Sequence, residues 1–355
     1  MRSAPGIIGV LVVDDSPTVR AVLTRLIAAA PEMRVVGEAG DGAQAVDETV
    51  RLGPDVILMD IEMPVMDGFQ ATERIMALRP TPIVVVTSRA NRSQVRTSFD
   101  AIRLGAVEVL PKPEDPAGWE VLAHTLPVAV RAAAQARAGR AVGAPPSGPN
   151  GAAAARSTPP PHPARIRYVA VGASTGGPWA VRTLLAALPN PAPASILVVQ
   201  HIAPGFEEGL AEWLAGDLAR DVRVARDGET AAPGAVRVAP QGAHLLLAPD
   251  GALRLDATRP ARTVHRPSAD ELFLSCAASH AAVTAGVLLT GMGSDGAEGL
   301  AELRRAGGLT IVQDESSSVV FGMPRAALEA GAATIALPPA EIGALLARAW
   351  SGGGT

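Results

Sequence analysis

Short, nearly continuous apolar runs alternate with amphipathic stretches from the start of the chain. Runs at Ile8–Val13, 34–38, Val56–Met59, 82–86 and 107–110 predict strands, and helical spacing of apolar positions predicts helices starting near Pro17, Ala43, Phe69, Ser93 and Ala117. Five strand–helix units with short connections predict an open parallel sheet with helices on both faces. The style resumes after position 165. Runs at 167–171, 196–199, 222–225, 286–289, 309–312 and 334–336 predict strands, several followed by helices, and 244–255 fits a β-hairpin turning at Asp250-Gly251. The predicted class is α/β in both halves, the second doubly wound with a mainly parallel sheet. Between them, Pro and Gly fill 11 of the 27 positions from 139 to 165 and Val142 is the only branched aliphatic residue, too little apolar surface to offset ordering entropy. The predicted organisation is therefore a domain over 1–125, a helix end and linker over 126–165, a domain over 166–350 and a flexible tail at 351–355.

Composition narrows the function classes. The 355 residues suit about two domains, and 48% apolar against 19% charged residues exclude a disordered chain. A single cysteine, Cys276, excludes a disulfide framework and a Cys-rich zinc site, and lies in a predicted helix at 268–282 as a small core residue. A net charge of −4 argues against a general nucleic-acid binder. The charge is uneven: −5 over 1–125, +5 over 126–165 and −4 over 166–355. No apolar run reaches the ~18 residues of a membrane span, so no membrane insertion is expected. The opening Met1-Arg2-Ser3-Ala4-Pro5-Gly6 leaves no room for a signal peptide before the first strand, and a cytoplasmic location is expected. All but one of the 31 basic residues are Arg; the exception is Lys112. A site that keeps Lys calls for a compact ammonium that a planar guanidinium does not replace.

In the first domain, acids collect where strands end. Asp14 and Asp15 follow the first strand and Asp60 follows the third. C-terminal strand ends share one crevice in an open parallel sheet, so the three carboxylates should converge there around a hard cation such as Mg2+. Thr87 closes the fourth strand and Lys112 follows the fifth, adding a hydroxyl and the lone ammonium to the same crevice. With Asp14-Asp15, Met59-Asp60-Ile61-Glu62-Met63-Pro64-Val65-Met66-Asp67-Gly68, Thr87-Ser88 and Pro111-Lys112-Pro113, residues 1–125 resemble a two-component receiver domain. The resemblance implies a flavodoxin-like fold, Asp60 as phosphoacceptor, Asp14, Asp15 and Asp60 as Mg2+ ligands, and Thr87 and Lys112 as phosphoryl contacts. Val109 stands where receivers often carry an aromatic switch residue, three before the lysine.

Three motifs carry candidate chemistry in the second domain. Gly172-Ala173-Ser174-Thr175-Gly176-Gly177 lies between a strand and a helix. It reads as an exposed nucleophilic serine beside helix N–H groups, or as a phosphate-binding or structural turn; without a Walker lysine it is no P-loop. Gln200-His201 ends a strand, where a general base belongs, with His244, His265 and His280 as rivals. Gly291-Met292-Gly293-Ser294-Asp295-Gly296 matches a dinucleotide fingerprint, but Asp295 would repel a pyrophosphate there and would suit an imidazolium instead. Ser174, His201 and Asp295 then make a nucleophile, base and orienting acid. An α/β-hydrolase order would instead use His265 with Asp250 or Asp256, which flank the hairpin.

Those stretches, with Val238-Ala239-Pro240, His265-Arg266-Pro267-Ser268, Gln313-Asp314-Glu315 and Val320-Phe321-Gly322-Met323-Pro324-Arg325, make residues 166–350 resemble the catalytic domain of the CheB chemotaxis methylesterases. The resemblance implies a phosphorylation-activated serine esterase that releases methanol from glutamate γ-methyl esters on the cytoplasmic helices of chemoreceptors, and a related glutamine deamidase activity. It implies those helices and a chemotaxis histidine kinase as partners. Backbone N–H groups near Thr175 and Met292 are the candidate oxyanion donors, and the hydrolysis itself calls for no cofactor. A DNA-binding transcriptional regulator is the contrasting alternative, but it requires a basic reading helix that the acidic second half does not offer.

Overall fold

The first apolar run forms β1 (Ile8–Val13), with β2 (Met33–Ala39) on one side and β3 (Val56–Met59), β4 (Ile83–Thr87) and β5 (Glu108–Pro111) on the other. Every pairing in this five-stranded sheet is parallel. The order reverses between β1 and β3, so residues that follow these two strands face one crevice. This computed structural model describes residues 7–88, 98–113, 115–139, 166–260, 262 and 265–351, and the chain divides into units Met1–Ser147 and Gly148–Thr355. The helix expected from Ser93, the Pro- and Gly-rich segment 140–165 and positions 352–355 lie outside the described residues.

Helices α1 (Pro17–Ala28), α2 (Gly42–Leu52) and α3 (Gly68–Leu78) each start on a capping side chain. Asp41 accepts the Gln44 N–H at 2.9 Å and Asp67 the Gln70 N–H at 2.8 Å, satisfying donors that the helix leaves open. At Gly68 a Cβ would fall 2.1 Å from the Asp60 carbonyl oxygen, so only glycine lets α3 begin against the end of β3. A short α4 (Asp100–Arg103) precedes β5, and α5 (Pro116–Gly139) follows it.

The domain boundary expected at 125 falls inside α5, which continues through Pro127 to Gly139. Leu126, Val130 and Ala133 are fully buried where α5 packs on α1 and the sheet. An interior proline costs about 3 kcal/mol. Burying Leu126 and Val130 returns about 1.5–3 kcal/mol each, so packing carries the helix past the proline.

The second unit holds a seven-stranded sheet in which every pairing is parallel. Its centre is β6 (Tyr168–Ala173), followed by α6 (Gly177–Ala186) and the neighbouring β7 (Ser195–Gln200). After α7 (Glu207–Leu218) come β8 (Val222–Val224) and β9 (Val236–Val238), which complete that side with β9 between β7 and β8. On the other side of β6 lie β12 (Thr284–Leu288), β13 (Leu309–Gln313) and β14 (Ile335–Leu337). The order in which the strands are added thus reverses between β6 and β12. Strand β9 escaped the sequence reading because it is three residues long with Arg237 at its centre. That guanidinium is buried, bonded to Glu229 at 2.9 Å and Asp221 at 3.2 Å.

The antiparallel hairpin β10 (His244–Leu247) and β11 (Leu253–Asp256) forms where expected. Helix α8 (Ala269–His280) packs on β10 and β6, burying Leu272, Phe273 and Cys276 completely. Burial pushes the Cys276 thiol up to about 12, which leaves it a protonated core residue. Helices α9 (Ala297–Arg305), α10 (Met323–Glu329) and α11 (Pro339–Ser351) complete the unit. Among the described residues no helix is long and apolar enough to cross a membrane.

Candidate active site

Strand ends bring Asp14, Asp15, Asp60 and Lys112 together in the first crevice, and His201 meets Asp295 in the second. In the first unit, Asp14 and Asp60 are buried and Asp15 is exposed, and one carboxylate oxygen from each lies within 4.8 Å of the others. Lys112 bridges two of them, its Nζ 2.7 Å from Asp14 Oδ2 and 2.5 Å from Asp60 Oδ2. A rotatable ammonium can serve two carboxylates at once, which fits the single lysine of an arginine-rich chain. The Thr87 carbonyl accepts the Lys112 N–H at 2.7 Å, tying the ends of β4 and β5 together. Burial lifts the Asp60 carboxyl to about 6, against the attraction of Lys112 and with a push from Asp14.

In the second unit, Ser174 follows β6 and His201 follows β7, and Asp295 sits in the loop after β12. The backbone places Ser174 tightly: its N–H donates to the Thr290 carbonyl at 3.0 Å, and its carbonyl accepts Gly177 N–H and Gln200 Nε2, each at 2.7 Å. Gln200 Nε2 also donates to the His201 carbonyl at 2.9 Å, so one buried amide joins the serine turn to the histidine. A Cβ at Gly291 would lie 2.7 Å from Ser174 Cβ, and glycine there lets the β12 loop close over the serine turn.

His201 Nε2 lies 2.8 Å from Asp295 Oδ2. A carboxylate partner assigns the ring proton to Nε2, and leaves Nδ1 as the basic nitrogen. That Nδ1 is buried with no hydrogen-bond partner among the described residues, and no hydrogen bond joins it to Ser174 Oγ. Asp295 also accepts from Ser268 Oγ at 2.7 Å and from Ala269 N–H at 2.7 Å, at the start of α8. Burial opposes its charge, but the bonds from His201, Ser268 and Ala269 outweigh that and hold the carboxyl below its usual range. The backbone N–H groups of Thr175 and Met292 donate to no protein acceptor among the described residues. A serine, a base with an open nitrogen, a paired carboxylate and unspent N–H donors can together perform acyl transfer.

Two profiles from known families match the chain: CheB methylesterase over residues 169–346 and response regulator receiver domain over 10–120. A protein-glutamate methylesterase/protein-glutamine glutaminase of Geobacter metallireducens is 46% identical over 94% of this chain and 96% of its own length. The chain belongs to the CheB methylesterase family. A relative of the same name from Anaeromyxobacter dehalogenans is also 46% identical, over 96% of this chain and 98% of its own. The crystal structure of the Thermotoga maritima CheB methylesterase catalytic domain, 37% identical, covers 52% of this chain and 99% of its own with a TM-score of 0.50.

The rival histidines of this family member have other surroundings. His280 Nε2 lies 3.0 Å from the Ala248 carbonyl, and its ring tilts against Tyr168. His244 is fully buried and accepts the Ser268 N–H on Nδ1 at 3.2 Å. Among the described residues no hydrogen bond joins His265 to Asp250 or Asp256, which cap turns at Ala252 and Thr258. It stacks on His201 instead, ring centroids 3.9 Å apart. The sequence reading missed Ser268, Gln200 and the stack of His265, although Gln-His and His-Arg-Pro-Ser marked all three.

Proposed function

We propose that the chain is a phosphorylation-activated protein-glutamate methylesterase that acts in the cytoplasm on glutamate γ-methyl esters of chemoreceptor helices, and that it deamidates receptor glutamines at the same site. The observation that carries the reaction is the His201–Asp295 contact of 2.8 Å with Nδ1 left open. Ser174 Oγ attacks the ester carbonyl as Nδ1 takes its proton, and the negative oxygen of the tetrahedral intermediate is held by the Thr175 and Met292 N–H groups. The imidazolium, stabilised by Asp295, then protonates the departing methoxide, and methanol leaves. Water repeats the sequence on the acyl-serine, freeing the glutamate. A glutamine amide follows the same path with ammonia as leaving group.

Control resides in the first unit, with Asp60 as phosphoacceptor and a chemotaxis histidine kinase as donor. Asp14, Asp15 and Asp60 fit Mg2+: three hard oxygen donors lie within 4.8 Å of one another, and the exposure of Asp15 leaves room for waters the ion retains. Bound there, Mg2+ supplies positive charge that offsets an incoming phosphoryl group. Thr87 and Lys112 contact that group from the ends of β4 and β5. The receiver unit runs to Gly139, 140–165 is the linker and 166–351 the esterase.

Methanol release from methylated receptor tests the reading. Ser174→Ala should lower turnover by at least about 10³-fold while thermal unfolding stays near wild type, since a half-buried hydroxyl with no hydrogen bond among the described residues adds little stability. Turnover near wild type would exclude Ser174 as nucleophile.

A further inference from the structure

The stretch His265-Arg266-Pro267-Ser268 takes no part in the bond-making steps above, yet two of its side chains touch the acid–base pair. His265 lies flat on His201, the ring planes 12° from parallel and the centroids 3.9 Å apart. Ser268 Oγ donates to Asp295 Oδ1 at 2.7 Å while accepting the Glu271 N–H at 3.4 Å as the cap of α8. Its own N–H is fixed on the far side by the buried His244.

We propose that His265 and Ser268 are positioning residues for the esterase site, His265 setting the plane of the His201 ring and Ser268 the rotation of the Asp295 carboxylate. The inference rests on the Ser174–His201–Asp295 assignment. An imidazole held only through Nε2 can swing about that bond, carrying Nδ1 away from the serine. A flat ring packed on its face removes that freedom. A carboxylate held only by an imidazole can likewise rotate about Cβ–Cγ. Ser268 on Oδ1 and the Ala269 N–H on Oδ2 stop that rotation from both sides. Burial, with the nearby His201, lowers His265 to about 4, so the stacking ring is neutral at pH 7 and does not oppose the imidazolium.

The test separates this role from plain helix capping. Ser268→Asp keeps a capping acceptor for α8 but sets a carboxylate against Asp295 in place of a donor. His265→Ala removes the stack, and His265→Phe restores a flat, untitratable ring. With methylated receptor as substrate and folding followed by circular dichroism, Ser268→Asp and His265→Ala should each lose about 10- to 100-fold in kcat with KM within about twofold. His265→Phe should recover most of the loss. If Ser268→Asp fails to fold, the His265 pair decides, together with Ser268→Ala. In Ser268→Ala the acid limb of kcat/KM should move to higher pH as Asp295 loses a donor. The proposal is overturned if the folded variants keep kcat within twofold of wild type, or if alanine and phenylalanine at 265 behave alike. Ser174→Ala measured alongside keeps the two questions apart. An inactive Ser174→Ala with fully active 265 and 268 variants removes only the positioning roles. An active Ser174→Ala removes the triad assignment beneath them.

Discussion

Asp60 and Asp295 hold comparable places in two unrelated crevices. Each lies beyond the C-terminal end of a parallel strand next to a reversal of strand order, and each is nearly inaccessible, at 3% and 2% exposure. Their surroundings push them in opposite directions. Among the described residues Asp60 accepts one backbone N–H, from Ile61 at 2.7 Å, and it shares Lys112 with Asp14; burial prevails and its carboxyl rises to about 6. Asp295 takes bonds from His201, Ser268 and Ala269 and stays below the usual range despite similar burial. The difference follows the work proposed for each. An orienting acid must keep its charge throughout a reaction, so the fold supplies all its partners. A phosphoacceptor must admit a cation and then a dianionic group, so the fold leaves its charge only partly compensated.

The sharpest way to break that contrast is Asp295→Asn. The amide fills the same space but reverses the bond to His201, favouring the wrong imidazole tautomer. The expected loss is about 10²–10⁴ in kcat with an unchanged circular dichroism spectrum, by analogy with serine-protease triads. A loss below tenfold would mean that the charge at Asp295 is not what the site requires.

Next in size is removal of divalent cation. Chelation should slow labelling of Asp60 by a small phosphodonor about 10²–10³-fold, the scale on which one preorganised charge contributes. Ester hydrolysis measured without phosphodonor should change less than about twofold, because the second crevice supplies its own compensation. Equal sensitivity of both reactions to chelator would place a metal in the esterase site and end the contrast.

The two sites were legible in the sequence to different depths. Strand-end residues were accessible because a parallel sheet brings its C-terminal ends together whatever lies between them; Asp14, Asp60, Lys112, Ser174 and His201 all follow strands directly or within two residues. Asp295 needed an electrostatic argument, since it lies seven residues past Leu288. The partners that fix Asp295 were hidden. Ser268 reaches it across 27 residues of sequence, from a helix cap whose local pattern explains itself without the contact. Short elements escape for a similar reason: a three-residue strand centred on Arg237 has no apolar run to mark it, and only the acids around that guanidinium explain its burial.

The smallest expected effect concerns pH. His265 is lowered to about 4 by burial and by His201, whereas an unfolded histidine takes its proton near 6.5. Above that pH neither state is protonated, and the residue makes no pH-dependent contribution. Between about 6.5 and about 4 the unfolded chain binds a proton that the folded chain refuses, so stability falls as the solution is acidified. His244, lowered by burial, adds to the same trend, while Asp270, raised by burial, works against it. The net slope therefore mixes several groups, but the difference between wild type and His265→Phe isolates one. Urea midpoints of the second unit's unfolding step at pH 7 and pH 5 should show the variant gaining on wild type at the lower pH. Parallel midpoints would show that His265 accepts a proton in the folded chain. The ring stacked on His201 would then carry charge, and the contrast with the partly compensated first crevice would lose its second half.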